Sequence, residues 1–179
     1  QVHDRIYEIV HRYEEALRVV GEEVREGNPS PGNKAGGITT LEEKSLGCIH
    51  KGGHSTVMNV YDYGKQVKAK EGLVIMDTPG NDPSSVAGMV AGGAQVVVFS
   101  SGRGTPTGNP IAPVIKITGN RITYANMIDN IDVDASPLIY GGDLKEMGDE
   151  LLKLLVEVAS GKQTKAESLG YTEMAIARA

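Results

Sequence analysis

Two short apolar runs constrain the fold of this chain more than any other feature of its sequence. Leu73–Met76 and residues 94–99 (AQVVVF) have the continuous apolar character of strands that are buried on both faces. Each run ends in a polar loop that contains glycine, and between the two runs we predict a helix that Asp82 caps and that carries apolar side chains at helical spacing. Strand, helix and strand in this order favour a right-handed parallel crossover.

Further elements extend this pattern into a complete domain. A third apolar run at residues 113–118 predicts another strand, and residues 121–128 predict a short helix. We therefore predict a three-layer α/β/α fold with a small, mostly parallel sheet, in one domain over residues 1–179. A leading helix at 1–27, a motif-bearing α/β core at 28–142 and C-terminal helices at 143–179 make up this domain, and residues 164–179 are expected to be helical.

Charge and composition exclude several classes of protein. The sequence has 18 Lys and Arg against 23 Asp and Glu, a formal net charge of -5, which argues against a general binder of nucleic acid or membrane surfaces. No apolar run approaches the roughly 20 residues that span a bilayer, and no signal-peptide pattern opens the sequence. We expect a cytoplasmic protein. The single cysteine, Cys48, excludes an internal disulfide.

Two segments resemble known nucleotide-binding motifs but do not match them. Residues 74–80 (VIMDTPG) resemble the Asp-x-x-Gly segment of GTPases, but no G-x-x-x-x-G-K-[ST] loop occurs to seat a triphosphate. Asp77 then has two open readings, a turn that caps backbone amides or a ligand and metal role. Residues 102–108 (GRGTPTG) have the wrong spacing for a dinucleotide fingerprint, so we reject a Rossmann cofactor site.

The second of these loops still offers one fixed positive charge. Arg103 lies among hydroxyl groups just after a predicted strand, and its guanidinium suits bidentate contact with a carboxylate. A solvated arginine on a turn is the alternative. Because ligands of parallel sheets bind beyond the carboxyl ends of the strands, we expect residues 77–80 and 100–104 to face one crevice.

Residues 28–53 give the strongest signal for a ligand. Glycines such as Gly36 and Gly37 let the backbone approach a ligand closely, and Lys34 supplies a positive charge. Thr39 and Thr40 open a helix that should run to about residue 49, so helix amides can add to an anion site. The alternative is an ordinary loop that Thr40 caps. Cys48, His50 and His54 flank a helix end and a Gly-Gly break, which disfavours a metal site there.

Several blocks of residues together resemble one known family. The resemblance is to the C-terminal region of the altronate and galactarate dehydratases, and it covers residues 26–134 in order. The blocks are residues 28–34 (NPSPGNK), 36–37 (GG), 39–47 (TTLEEKSLG), 76–80 (MDTPG), 88–94 (GMVAGGA) and 102–104 (GRG).

This resemblance implies a hydro-lyase that removes water from a sugar acid to give a 2-keto-3-deoxy acid, with a divalent metal, iron or manganese. Removal of the α proton leaves charge on the carboxylate, so cations and a base are needed. For catalysis we expect Lys34, Lys44 and Asp77, the last also as a metal ligand beside others outside this chain. For substrate binding we expect Asn28, Gly36, Gly37, Thr39, Thr40, Lys51, Thr78, Ser101 and Arg103.

The family also includes a sulfolactate sulfo-lyase subunit, so the leaving group can differ. A non-catalytic module for sugar acids or other anions, and a sheet-capping interaction domain, are the alternatives from other classes. We expect the chain to be a C-terminal piece of a longer dehydratase, inactive alone, with an upstream domain or subunit of the same enzyme as partner and a possible homo-oligomer. Residues 28–37 are expected to be mobile without ligand.

Overall fold

The structure, a computed structural model, describes residues 1–22, 27–70 and 72–177. Contacts between residues group the chain into two compact units. The first consists of Gln1–Tyr61 and Lys68–Asp77, and the second of Asp62–Val67 and Thr78–Ala179.

The first unit is a set of helices with a two-stranded parallel sheet. Strands β1 and β2 pair with Val60 opposite Ile75 and Tyr61 opposite Met76, and helix α1 packs against β1. The elements are α1 (Val2–Val19), α2 (Pro31–Ala35), α3 (Leu41–His50), β1 (Val57–Tyr61) and β2 (Leu73–Met76).

Helix α1 is shorter than the leading helix that we predicted at residues 1–27. It ends at Val19, and Gly21 follows with a φ of 78°, a left-handed conformation that glycine adopts at little cost. The prediction that one helix reaches residue 27 is therefore wrong, because the chain turns at Gly21. Residues 23–26, which belong to the predicted range of this helix, lie outside the described residues.

The second unit contains a three-stranded parallel sheet in the order β3-β4-β5. A short 3-10 helix, Ser136–Tyr140, separates β5 from the last two helices. The elements are α4 (Asp82–Ala91), β3 (Val97–Ser100), β4 (Val114–Thr118), α5 (Arg121–Asn126), β5 (Val133–Asp134), α6 (Leu144–Ala159) and α7 (Lys165–Ser168).

The core of the second unit forms where α4 meets the sheet. Val86, Val97 and Val114 are at most 6% exposed and pack together, and each contributes about 1.5–3 kcal/mol through burial. Gly88 on α4 leaves room for the ring of Tyr63, since a Cβ there would lie 2.4 Å from the ring. The small residues of α4 thus bring the helix close to its neighbours.

Side chains cap most of the helices, one of them at a different position from the one predicted. The side chain of Asn81, not Asp82, accepts from the backbone and hydroxyl of Ser84 at the start of α4. An N-cap side chain bonds to an amide three residues on, which makes Asn81 the cap and Asp82 the first helical residue. Thr40 caps α3 as predicted.

The α/β class with parallel strands is confirmed, and the strands form two small sheets. Leu73–Met76 pairs with Val57–Tyr61, a strand that the sequence reading missed, whereas Val97–Ser100 pairs with Val114–Thr118. The predicted crossover between residues 73–76 and 94–99 is therefore wrong. So is the inference of a shared sheet edge for residues 77–80 and 100–104, because these loops follow strands of different sheets.

The C-terminal segment is less helical than predicted. Helix α7 ends at Ser168, Gly170 has a φ of 71°, and residues 171–177 form neither helix nor strand. Residues 178–179 lie outside the described residues. In the part of the chain that the structure describes, no helix has the length and apolar character needed to cross a membrane.

Candidate functional site

In the first unit, two of the predicted site residues contact each other. The Lys44 ammonium on α3 donates to the Asn28 side-chain oxygen at 2.8 Å, and both side chains are half-buried. This contact joins α3 to the start of the glycine-containing segment. An ammonium has three donors, so Lys44 can hold Asn28 and still contact an oxygen of a ligand.

The hydroxyl groups at the start of α3 are engaged by a residue of the same helix. Glu43 accepts from the backbone amide and the hydroxyl of Thr39, each at 2.9 Å, while the Thr40 hydroxyl accepts from the Glu43 amide at 3.1 Å. The hydrogen bonds from the Thr39 amide and hydroxyl lower the pKa of Glu43. A negative charge of the chain itself thus occupies donors that we predicted for an anion.

Lys34 lies in a short helix rather than in an open loop. Helix α2 spans Pro31–Ala35, and the carbonyl of Lys34 accepts from the Gly37 amide at 3.0 Å. Gly37 has a φ of 105°, which a residue with a side chain rarely adopts. The side chain of Lys34 is exposed, as is that of Lys51 at the end of α3, so both cations are open to solvent.

Asp77 follows β2 as predicted and has an unexpected partner. Its amide donates to the Tyr61 carbonyl at 2.8 Å, and its carboxylate pairs with the guanidinium of Arg12 from α1. The Asp77 side chain is 25% exposed, against 55% for Arg12. The sequence reading did not consider Arg12, because one polar residue on an amphipathic helix gives no sign of its distant partner.

The described residues do not provide a complete metal site. No group of three or more His, Cys, Asp or Glu side chains within residues 1–22, 27–70 and 72–177 is placed to hold a metal ion. Asp77, the predicted ligand, already has a cationic partner in Arg12. A role of Asp77 toward a metal or as a base stays a prediction.

In the second unit, the predicted hydroxyl groups also have partners. The hydroxyls of Thr78 and Ser85 lie 2.8 Å apart. The hydroxyl of Ser101 accepts from the Gly104 amide at 3.0 Å, which closes a tight turn after β3. Arg103 lies inside this turn with its side chain exposed. The turn therefore presents a cation to solvent on a short, fixed piece of backbone.

Sequence reasoning missed the buried polar residues behind this turn. Thr105, Thr107, Asn109 and Lys116 are all at most 7% exposed. Lys116 is in the apolar run at residues 113–118 that we predicted to be a strand, and a lysine inside such a run (PVIKIT) was the available signal. None of these four residues was predicted to take part in a site.

Comparison with known proteins assigns the chain to a family. The family model of D-galactarate/altronate dehydratase, C-terminal, matches residues 1–179. The chain belongs to this family. It is 46% identical over 149 residues to an altronate dehydratase of Escherichia coli (strain K12), an alignment that covers 83% of the chain and 30% of that relative.

Two further relatives differ in their named reactions. The chain is 37% identical over 164 residues to a galactarate dehydratase (L-threo-forming) of Escherichia coli (strain K12), covering 91% of the chain and 31% of the relative. It is also 37% identical over 180 residues to a (2R)-sulfolactate sulfo-lyase subunit beta of Chromohalobacter salexigens, covering 99% and 46%. The chain thus spans less than half the length of these relatives.

Proposed function

We propose that this chain is the C-terminal domain of a sugar-acid dehydratase that eliminates water from an altronate-type or galactarate-type acid to give a 2-keto-3-deoxy acid. The observation that carries the proposal is the family match over the whole chain, together with two relatives whose names are dehydratases of sugar acids. Because the chain covers about a third of those two relatives, the rest of the enzyme supplies further parts of the site.

In the proposed reaction, a base removes the proton from the carbon next to the carboxylate, and the electron pair delocalises onto the carboxylate oxygens. The hydroxyl on the following carbon then leaves with a proton as water, and the resulting enol tautomerises to the 2-keto group. Negative charge on the carboxylate grows in the first step, so fixed cations there lower the barrier. We assign this role to Lys34 and Arg103, whose side chains are exposed.

Other predicted residues take supporting roles in this proposal. We assign Lys44 the role of a further cation at the substrate, and Asn28, to which it donates at 2.8 Å, the role of a contact to the polyol. Thr39, Thr40, Thr78 and Ser101 offer hydroxyls to the substrate, Gly36 and Gly37 let the backbone approach it, and Lys51 contacts it from the end of α3. Asp77 is our candidate for the base. A divalent metal, iron or manganese, is included with ligands mainly outside this chain.

A second candidate function has its own support. The relative named (2R)-sulfolactate sulfo-lyase subunit beta aligns with 99% of the chain, more than the dehydratases do. A lyase of this type removes a different leaving group from the carbon next to the hydroxyl-bearing carbon. The same cations would stabilise the substrate carboxylate. The non-catalytic alternative, a module that binds a sugar acid without chemistry, uses the same residues and lacks turnover.

An assay of the full-length enzyme that carries this chain distinguishes among these functions. The enzyme is incubated with a panel of sugar acids and with (2R)-sulfolactate, each with iron, manganese or a chelator, and 2-keto-3-deoxy acids and sulfite are measured. We expect a 2-keto-3-deoxy acid from a sugar acid and no sulfite. Sulfite release supports the second candidate, and binding of a sugar acid without any product supports the non-catalytic module. The 179-residue chain alone is expected to give no measurable turnover.

A further inference from the structure

Lys116 is the most deeply buried charged residue among those the structure describes. It lies in β4, the central strand of the three-stranded sheet, and it is 1% exposed. Its neighbours in the strand, Val114 and Ile115, are also buried. A lysine is almost never fully buried unless its ammonium has a partner, because the charge loses its hydration. The partner therefore indicates what the residue does.

That partner is a backbone carbonyl of the segment that follows Arg103. The Lys116 ammonium donates to the Thr107 carbonyl at 3.4 Å. Asp132 lies nearby, but its carboxylate accepts from the backbone amides of Lys116 and Lys165, at 2.7 and 2.9 Å. Within residues 1–22, 27–70 and 72–177, no ion pair to the Lys116 ammonium is found. Its charge is thus directed at the Thr107 carbonyl.

The segment around Thr107 is built to be held in one place. The hydroxyls of Thr105 and Thr107 lie 2.7 Å apart, and the Asn109 side chain accepts from the Ile111 amide at 2.9 Å. Gly108 has no room for a side chain, since a Cβ there would lie 2.2 Å from the Tyr171 carbonyl oxygen. Thr105, Thr107 and Asn109 are therefore packed inside the unit, although the segment connects two strands.

Arg103 is joined directly to this buried segment. Its turn is closed by the bond from the Gly104 amide to the Ser101 hydroxyl, and the Thr123 hydroxyl donates to the Gly102 carbonyl at 2.8 Å. Gly104 has a φ of 80° and lies against Met127. One residue later the chain is buried, so the position of Arg103 depends on how firmly residues 105–109 are held.

We propose that Lys116 is a positioning residue: its buried ammonium holds the Thr107 carbonyl from inside the unit and so fixes the turn that presents Arg103 to the substrate carboxylate. The inference rests on the proposed function for the role of Arg103, and on the structure for the contact. Lys116 would then support the site without contacting the substrate, unlike the residues that bind it.

The charges around Lys116 are consistent with this role. Burial lowers the pKa of Lys116, whereas the carboxylates of Asp132 and Glu173 oppose that change and Lys165 adds to it. Two nearby carboxylates therefore help to keep a proton on a group that burial would deprive of it. A protonated lysine amine has three N–H donors, and one of them can donate to the Thr107 carbonyl.

The test uses the full-length enzyme with Lys116→Met, and Lys165→Met as the matched control. Lys165 also donates to backbone carbonyls, those of Ile128 and Ile131 at 2.6 Å each, but not to residues 101–109. For Lys116→Met we expect hydrogen exchange of amides 102–108 to accelerate about tenfold or more, the order expected for loss of one hydrogen bond to a charged group. The control leaves the exchange of these amides at the wild-type rate.

Steady-state kinetics with the accepted substrate separate positioning from general loss of structure. Lys116→Met should raise KM and lower kcat in the wild-type background, and should add little in an Arg103→Ala background, because the two residues act through one contact. Equal losses in both backgrounds, or unchanged exchange of amides 102–108, would overturn the inference. If Lys116→Met does not fold, Lys116→Gln, neutral and one bond shorter, carries the same expectation.

Failure of the proposed function gives a different result. An enzyme without lyase activity on any substrate of the panel overturns the proposed function, and the exchange measurement still reports whether Lys116 holds residues 102–108. Active enzyme with unchanged exchange in both Lys116 variants overturns the positioning role and leaves the proposed function in place.

Discussion

Two glycine-containing segments of this chain carry Lys34 and Arg103, the cations proposed for the substrate carboxylate, and they are held in different ways. Residues 28–43 are held by contacts near the surface: Lys44, which follows this segment, donates to Asn28, and Glu43 accepts from the exposed Thr39. In residues 101–109, the turn that carries Arg103 leads into buried backbone, which Lys116 contacts from inside. Similar composition therefore produces a segment held from outside and a segment held from inside.

This difference predicts how each segment responds to mutation. A surface contact can be lost without disturbing its neighbours, so substitutions in residues 28–43 should act locally and add independently. A buried polar contact has few replacements, and losing it leaves a group without hydration. Substitutions behind residues 101–109 should therefore change the position of Arg103 without touching it.

We expect the largest effect from removing Lys34, the exposed cation of residues 28–43. Lys34→Ala in the full-length enzyme should lower kcat about 10²-fold and raise KM, since one electrostatic donor to the developing charge is lost. Lys153→Ala, which removes an exposed lysine of α6, should change neither constant. Wild-type kinetics for Lys34→Ala would exclude Lys34 from the substrate site.

A smaller effect tests the cation of the second segment. Arg103→Lys keeps the charge but loses the planar group that grips a carboxylate with two hydrogen bonds. We expect kcat/KM to fall about tenfold, the order of one charge-assisted hydrogen bond, and Arg103→Ala to cost more. If lysine supports wild-type kcat/KM, Arg103 acts only as a point charge or lies away from the substrate.

The sequence predicted most of the described elements and the Thr40 cap of α3. Apolar runs and Thr40 were sufficient for β2, β4 and α3, because such signals are local. The partner of β2 was missed, since Val57–Tyr61 mixes apolar and polar residues and strand pairing depends on distant segments. The Arg12 contact with Asp77 spans 65 residues, which no local pattern encodes.

A pH measurement tests the buried contact between Lys116 and residues 101–109. Because burial lowers the pKa of Lys116, the folded protein releases this proton at a lower pH than the unfolded chain, in which lysine has a pKa of about 10.4. Between the two pKa values the unfolded chain binds more protons, so stability rises with pH. The melting temperature of the full-length wild type should therefore rise relative to Lys116→Met as the pH increases toward 10. A constant difference would contradict a lowered pKa.

The smallest effect that we expect concerns residues 28–43, where Glu43 accepts from the amide and the hydroxyl of Thr39. Both bonds lower the pKa of Glu43, so its carboxylate supports the start of α3 at neutral pH and loses this role as the pH falls through the lowered pKa. Thr39→Val removes the hydroxyl and keeps the amide, the larger cause. NMR titration of the Glu43 carboxyl should then show a pKa that moves part of the way back to its ordinary value.

Thr56→Val, at an exposed threonine of the same unit, should leave the pKa of Glu43 unchanged. The same titration also tests Thr39 as a substrate contact. A sugar acid that takes the Thr39 donors must displace the Glu43 carboxylate, which loses the hydrogen bonds that hold its pKa down. Saturating substrate should therefore raise the pKa of Glu43 in the wild type. If the substrate is turned over and this pKa does not move, Thr39 holds the helix and does not bind the acid.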